Sequence, residues 1–159
     1  MCGAMALRAK DVMQAKVLTV SPTMTLAALE DFLVSKRISG APVVERGKLV
    51  GIVSRSDIVR LLSLERSLAG VIAEGLGGAE PGPRLPESVT KQLEGRTVRD
   101  AMVSDPVTVS PDTPIEEVAR LLSQRHIHRV PVTAGGTIRG VISTLDLVRL
   151  IATGRLRED

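Results

Sequence analysis

The chain contains the same pattern of residues twice. When the sequence is shifted by 89 positions, residues 11–61 align with residues 100–150 without a gap. Self-similarity at a fixed offset indicates one structural unit made more than once, so the 159 residues are expected to hold two copies of a small unit. The identities include Asp11, Met13, Thr19, Val20, Pro22, Pro42, Val43, Gly51, Ser54 and Asp57, which align with Asp100, Met102, Thr108, Val109, Pro111, Pro131, Val132, Gly140, Ser143 and Asp146.

Each copy predicts the same elements at its start. A short helical turn, Ala9–Met13 or Thr97–Met102, leads into an extended segment that ends in Thr-Val-Ser-Pro. An amphipathic helix follows, because apolar residues recur there at helical spacing. In the second copy Thr113 is expected to be the N-cap, Pro114 the first helical residue and Glu116 the end of a capping box. The apolar positions are Leu26, Leu29, Phe32 and Leu33 in the first copy and Ile115, Val118, Leu121 and Leu122 in the second.

A hairpin and a second helix complete each copy. Two short strands flank a turn that contains glycine, and a helix begins at Ser54 or Ser143. The predicted class is α/β (α+β), with two β-α-β-β-α units: residues 7–62, a partly helical linker 63–95, and residues 96–152. Within the linker we expect 63–74 to continue the preceding helix, 75–86 to be flexible, and 86–93 to add helical turns. The predicted strands are Pro42–Val44, Leu49–Val53, Pro131–Thr133 and Ile138–Ile142.

Composition excludes several kinds of function. Phe32 is the only aromatic residue and the net charge is a mild +3 without a basic block, so a nucleic-acid partner is not expected. Cys2 is the only cysteine, which excludes an intramolecular disulfide and a cysteine metal site. No apolar run has the length of a membrane span, and no apolar stretch precedes Cys2. We therefore expect a reduced, cytoplasmic protein.

A Ser-x-x-Asp motif opens the last helix of each copy, and two interpretations of it stay open. In the first, Ser54 with Asp57, and Ser143 with Asp146, form capping boxes and nothing more. In the second, the helix N-terminus accepts a phosphate, while the ionised aspartate accepts hydrogen bonds from two ribose hydroxyls. A glycine three residues before each serine would then let a ring approach the backbone.

The repeated unit resembles the CBS domain, named for cystathionine β-synthase, which usually occurs in pairs called Bateman modules. The resemblance rests on Gly51-Ile52-Val53-Ser54-Arg55-Ser56-Asp57 and Gly140-Val141-Ile142-Ser143-Thr144-Leu145-Asp146, and it covers residues 9–62 and 97–152. It implies two units packed about a pseudo-twofold axis, with adenosine nucleotides bound between them. By this resemblance the acids Asp57 and Asp146 hold ribose, and Ser54 and Ser143 lie near the phosphate. The adenine slots would be lined by Ala41, Pro42 and Val43 with Leu18 and Thr19 opposite, and by Val130, Pro131 and Val132 with Val107 and Thr108 opposite.

One segment of the second copy carries an additional resemblance. Ile127-His128-Arg129-Val130-Pro131 is similar to a His-Arg segment in γ subunits of AMP-activated protein kinases, whose side chains contact nucleotide phosphates. His128 and Arg129 are therefore implied phosphate ligands. The first copy has Ser39 and Gly40 at these positions, so the pair occurs once. Alternate histidines without a nearby third ligand do not predict a metal site.

The leading hypothesis is a stand-alone regulatory CBS pair that senses AMP, ADP or ATP and signals to an unidentified effector protein. S-adenosylmethionine and NAD-type ligands fit the same pattern. The rival hypothesis is a ligand-free dimerisation or interaction module. An enzyme is not expected, since Ser54 and Ser143 lack a hydrolase elbow and Gly47-Lys48 lacks the rest of a P-loop. A homodimer is expected to use aliphatic surface, with Leu26, Leu29, Phe32, Leu33 and residues 54–62 as candidates.

Overall fold

The computed structural model describes residues 6–65, 91 and 93–155, and it divides into two compact units. The first unit is Leu18–Pro106, and the second unit combines Met1–Val17 with Val107–Asp159. Most of the predicted linker helices and the predicted flexible segment lie outside the described residues. In chain order the elements are α1 (Ala9–Val12), α2 (Leu26–Lys36), β1 (Gly40–Glu45), β2 (Lys48–Ser54), α3 (Arg55–Glu65), α4 (Val98–Ala101), β3 (Val103–Ser104), α5 (Ile115–Arg125), β4 (Arg129–Ala134), β5 (Thr137–Ser143) and α6 (Thr144–Ala152).

Each unit is built on one antiparallel hairpin, β1–β2 or β4–β5. Both tight turns have two residues with positive φ, Arg46 (51°) and Gly47 (77°) in the first unit, and Gly135 (58°) and Gly136 (79°) in the second. Two successive positive φ angles match the twist of the flanking strands, which is why glycine recurs at these turns. The predicted hairpins are confirmed, and both contain the same shift in register, after Val43 and after Val132.

The extended segment before α2 and α5 is shorter than a strand. It is reduced to single parallel bridges, Val20 with Val43 and Val109 with Val132. In both places the bridging valine is followed by Ser-Pro, and proline has no N–H with which to continue a ladder. The predicted first strand of each copy therefore survives as one pair of residues.

The helix caps differ from those that the sequence predicts. The N-cap of α5 is Pro114 and makes no side-chain cap hydrogen bond, so the assignment of Thr113 as N-cap is wrong. Thr113 Oγ1 instead accepts a hydrogen bond from the backbone N–H of Ser110 at 3.1 Å. The start of α2 has a side-chain cap, because Thr25 Oγ1 accepts from the N–H of Ala28 at 3.1 Å.

The short helix that begins each copy packs in the unit of the other copy. We call residues 7–14 and 96–103 the lead segments. In the second unit, the N–H of Ala9 donates to the Thr113 carbonyl at 2.8 Å, and the N–H of Ile115 donates to the Leu7 carbonyl at 2.9 Å. The first unit has the equivalent pairs, Val98 to Met24 (2.8 Å) and Leu26 to Arg96 (2.9 Å). Each compact unit is thus one copy's body with the other copy's lead segment.

Side-chain ion pairs accompany this exchange. Lys10 lies 2.8 Å from Asp112 in the second unit, and Arg99 lies 2.7 Å from Glu45 in the first. A hydrogen bond from Lys10, together with its positive charge, lowers the pKa of the exposed Asp112 carboxyl below its usual value.

Both cores are aliphatic, and the core of the first unit includes three of the residues expected at a dimer surface. Leu26, Leu29 and Leu33 are fully buried inside the first unit, so these three cannot supply an interface. Exposed aliphatic residues lie instead on α6, where Leu145, Val148 and Ile151 are 54%, 57% and 66% exposed. Within the described residues, no helix combines the length and the apolar character that a membrane crossing needs.

Candidate functional site

The Asp57 carboxylate lies at the start of α3 and closes a capping box. Its Oδ2 accepts from the backbone N–H of Ser54 at 2.8 Å and from the Ser54 hydroxyl at 2.9 Å. Its Oδ1 accepts from Arg60 Nη1 at 2.9 Å. Asp57 is only 7% exposed, whereas the Arg60 side chain is 66% exposed. One carboxylate oxygen therefore caps the helix, and the other faces a side chain at the surface.

The Asp146 carboxylate has the same cap at the start of α6. Its Oδ2 accepts from the Ser143 N–H at 2.8 Å and from the Ser143 hydroxyl at 2.9 Å, and the residue is 8% exposed. Its Oδ1 accepts from Gln14 Nε2 at 2.9 Å, while Arg149 Nη1 is 3.9 Å away. The capping interpretation of both motifs is thus present in the structure, and in each unit it uses Oδ2.

The glycines of the two motifs make room for the lead segments. A Cβ on Gly140 would lie 2.6 Å from Met13 Sδ and 2.9 Å from the Gln14 carbonyl oxygen, and one on Gly51 would lie 2.8 Å from Met102 Sδ and from the Val103 carbonyl oxygen. The interpretation that these glycines admit a ligand ring is therefore wrong, because the adjacent space holds protein atoms. The lead segment lies against the hairpin as an added strand, with β3 on β2 and Gln14 bridged to Val141.

The proposed adenine-lining residues fall into a buried and an exposed set. In the first unit the Pro42 carbonyl accepts from the Val20 N–H at 3.0 Å, which brings the buried strand next to the segment that precedes Val20. The Pro131 carbonyl accepts from the Val109 N–H at 3.1 Å in the second unit. The buried set is Ala41, Pro42, Val43, Val130, Pro131 and Val132, and the exposed set is Leu18, Thr19, Val107 and Thr108.

The His-Arg pair lies beside the second capping box. Arg129 opens β4 as the strand partner of Ser143, and the His128 carbonyl accepts from the Thr144 N–H at 3.0 Å. Both side chains are exposed. The fold thus brings together Arg129, Ser143 and Asp146 in one unit. His126 is the left-handed C-cap of α5, with φ of 53°.

In the described part of the chain, no three His, Cys, Asp or Glu side chains are grouped in a way that could hold a metal ion.

Sequence reasoning missed the three side chains that lie next to the outer carboxylate oxygens, Arg60, Arg149 and Gln14. Arg60 and Arg149 follow the aspartates by three residues, a helical spacing that brings the side chains together and that could have been recognised. Gln14 gave no local signal, because it lies 132 residues before Asp146. Its contact depends on the exchange of the lead segments.

A scan against protein-family models matches the CBS domain at residues 9–64 and again at residues 98–153. The curated zinc metalloprotease MJ0392 of Methanocaldococcus jannaschii is 32% identical over 153 residues, which are 96% of this chain and 34% of that protein. This chain therefore spans about a third of that relative's length.

Solved structures of CBS pairs share the architecture. The CBS-pair protein CBSX2 from Arabidopsis thaliana has a TM-score of 0.73 at 25% identity, covering 96% of this chain and 99% of that chain. CBSX2 in complex with AMP has a TM-score of 0.68 at 26% identity, covering 93% and 98%. The CBS domain pair of MJ0100, solved with 5-methylthioadenosine and S-adenosyl-L-methionine, has a TM-score of 0.69, covering 94% and 98%; at 21% identity it shows the shared fold alone.

Proposed function

Since the chain belongs to the CBS domain family, with a match in each of its two copies, we propose that it is a regulatory module that binds adenosine nucleotides. AMP, ADP or ATP would bind at the Ser-Asp motifs, and the occupied state would be read by an effector protein. We call the two places the Asp57 site and the Asp146 site. The AMP complex of CBSX2, at 26% identity, supports this choice of ligand class. In this proposal the module has no catalytic role, and its location is cytoplasmic.

The proposal rests on the different contacts of the two oxygens in each aspartate carboxylate. Capping alone needs one oxygen, and Oδ2 supplies it in both units. Oδ1 is bound by Arg60 in one unit and by Gln14 in the other, and both of these residues are exposed. At the Asp57 site the exposed Arg60 side chain can move aside at little cost, since ion pairs with exposed side chains contribute about 0–1 kcal/mol. A ribose hydroxyl can then reach Oδ1 while the cap stays intact.

Calorimetric titration with AMP, ATP and adenosine tests the proposal. Asp57→Ala or Asp146→Ala should weaken binding at the altered site about ten- to a hundredfold, because charge-assisted hydrogen bonds contribute about 1.5–3 kcal/mol. Asp100→Ala is the matched control. Asp100 closes a capping box with Thr97 at 2.8 Å but lies outside the Ser-Asp motifs, so its loss should lower stability and leave binding unchanged.

Substitution of Arg129 tests the contribution of the phosphate to binding separately from that of the adenosine. Arg129→Ala should weaken ATP and AMP more than adenosine, because a guanidinium acts on the phosphate end. Equal losses for adenosine and ATP would refute this role. If no adenine ligand binds the folded wild-type protein, the nucleotide-sensing function is wrong and the interaction module is favoured.

The exposed face of α6 favours a second property, self-association. We propose a homodimer in which Leu145, Val148 and Ile151 are covered by a second copy of the chain. Sedimentation equilibrium should give twice the monomer mass at micromolar concentration, and Val148→Glu should shift the protein to monomer because it places a charge in the apolar contact. A wild-type monomer under these conditions would contradict the dimer.

A further inference from the structure

Gln14 makes the environment of Asp146 different from that of Asp57. The second unit holds Gln14 through its backbone, since its N–H donates to the Val141 carbonyl at 2.9 Å and its carbonyl accepts from the Val141 N–H at 3.1 Å. Its side-chain amide donates to Asp146 Oδ1 at 2.9 Å. The amide therefore belongs to a residue whose main chain is fixed against β5.

The aligned residue in the first unit is Val103. It pairs with Ile52 of β2 as Gln14 pairs with Val141 of β5, but it has no hydrogen-bonding side chain. Asp57 Oδ1 therefore has the exposed Arg60 at 2.9 Å, whereas Asp146 Oδ1 has the amide at 2.9 Å and Arg149 at 3.9 Å. The two aspartates are equivalent in sequence and unequal in their surroundings.

The difference bears on the oxygen that a ribose would use. In each motif Oδ2 already accepts two hydrogen bonds from its serine, which matches the two lone pairs of a carboxylate oxygen. Ribose hydroxyls must then bind at Oδ1. At Asp146 the Gln14 amide uses one of the two acceptor positions and is tethered beside it by the β-bridge. A ligand there must share Oδ1 or displace the amide.

We infer that Gln14 is a positioning residue that lowers the affinity of the Asp146 site and makes it the weaker of the two adenosine sites. The inference rests on the proposed function. Gln14 acts at the ribose end of the ligand, so it should affect the binding of adenosine and of AMP to the same extent. The Asp57 site fills first, and the Asp146 site fills at higher ligand concentration.

A reciprocal exchange of the two aligned residues tests the inference by calorimetry. In an Asp57→Asn background, which leaves the Asp146 site, Gln14→Val should tighten AMP and adenosine binding about three- to tenfold, the equivalent of one modest hydrogen bond. In an Asp146→Asn background, Val103→Gln should weaken binding at the Asp57 site by a similar factor. Gln124→Val, an exposed change on α5, is the matched control and should alter neither site.

The tighter binding expected for Gln14→Val distinguishes a positioning role from a structural one. If the substitution only loosened the lead segment, binding would become weaker. A spectroscopic measurement on the unaltered protein avoids any folding defect of the variants. The side-chain amide signal of Gln14 should move as the second equivalent of AMP binds, and stay in place during the first. Movement with the first equivalent, or affinities that are unchanged by both exchanges, would overturn the inference and leave the proposed function intact. Absence of all adenine binding would overturn both.

Discussion

Glu30 and Arg55 form a buried ion pair that occurs in the first unit alone. Arg55 Nη2 lies 3.4 Å from Glu30 Oε1, and each side chain is 5% exposed. The aligned residues of the second copy are Ala119 and Thr144, which are both uncharged and exposed, so the second copy has no charge pair at these positions. Arg55 also lies between Ser54 and Asp57, so this motif contains a buried cation together with an aspartate that is itself only 7% exposed.

Removing one partner of this pair should be costly, and removing both should not. Glu30→Ala leaves a guanidinium in the interior without this carboxylate and is expected to cost about 3–5 kcal/mol of unfolding free energy. The double change Glu30→Ala with Arg55→Thr reproduces the second copy and should recover most of that loss. Urea denaturation of the single and double variants measures both values. A double variant less stable than the single one would show that the charge pair is a net source of stability.

At the scale of elements, a hairpin and a lead segment make one continuous sheet edge. In the first unit β3 pairs with β2 through Gly51 with Ser104 and Ile52 with Val103. In the second unit Gln14 alone bridges Val141. The register shift in each hairpin lies directly before the motif glycine, where the lead methionine packs. A bulge bends a strand, and the missing side chain lets another backbone approach.

Filling this contact should loosen the second unit. Gly140→Ala places a methyl group 2.9 Å from the Gln14 carbonyl oxygen and 2.6 Å from Met13 Sδ, so main chain must shift. We expect a loss of about 1–3 kcal/mol in unfolding free energy, the usual cost of overpacking. Gly95→Ala is the control, since its Cβ would meet no atom within 4 Å. Equal stability of the two variants in thermal unfolding would contradict the packing described for Gly140.

At the scale of the whole molecule, the repeats in the sequence and the compact units in space are different divisions of one chain. The family matches begin at residues 9 and 98, with the lead segments included in their own copies. The structure assigns those segments the other way, through paired backbone hydrogen bonds such as Ala9 to Thr113 and Val98 to Met24. The predicted domain boundaries 7–62 and 96–152 stay a prediction about the repeats. Because the exchange places residue 9 in the same unit as residue 130, a substitution near residue 9 should lower the local stability around residue 130.

Amide hydrogen exchange on the full chain tests this exchange of the lead segments. Ala9 is fully buried in the second unit, so Ala9→Glu should reduce protection at Val130, Val132 and Ile142, because a buried unpaired charge destabilises its surroundings. Val43 and Val53 should keep their protection.

Val98→Ala is the reciprocal variant, since Val98 is fully buried in the first unit. It should lower protection at Val43 and Val53 and spare Val130. Loss of protection confined to each substituted residue's own sequence copy would refute the exchange.

Short-range sequence patterns are sufficient to predict the helices and hairpins of this protein. Glycine at the hairpin turns, apolar residues at helical spacing and Ser-Asp pairs at the last helices are read from neighbours a few residues apart, and the helices, hairpins and capping boxes agree with them. The repeat also identified the family, because the same motif occurs at both ends of an 89-residue offset. The Thr113 cap was wrong because Thr113 bonds back to Ser110, a competition between two local hydrogen bonds that the residue types do not decide.

The body against which each lead segment packs follows from tertiary contacts and is not evident from the sequence. The two lead segments are alike in pattern, and so are the two bodies, so the hydrophobic pattern does not by itself decide between the two pairings. The choice depends on chain connections and on contacts between residues more than a hundred positions apart, such as Lys10 with Asp112. Because the exchange places Gln14 next to Asp146 and Val103 next to Ile52, it also gives two aligned aspartates different neighbours.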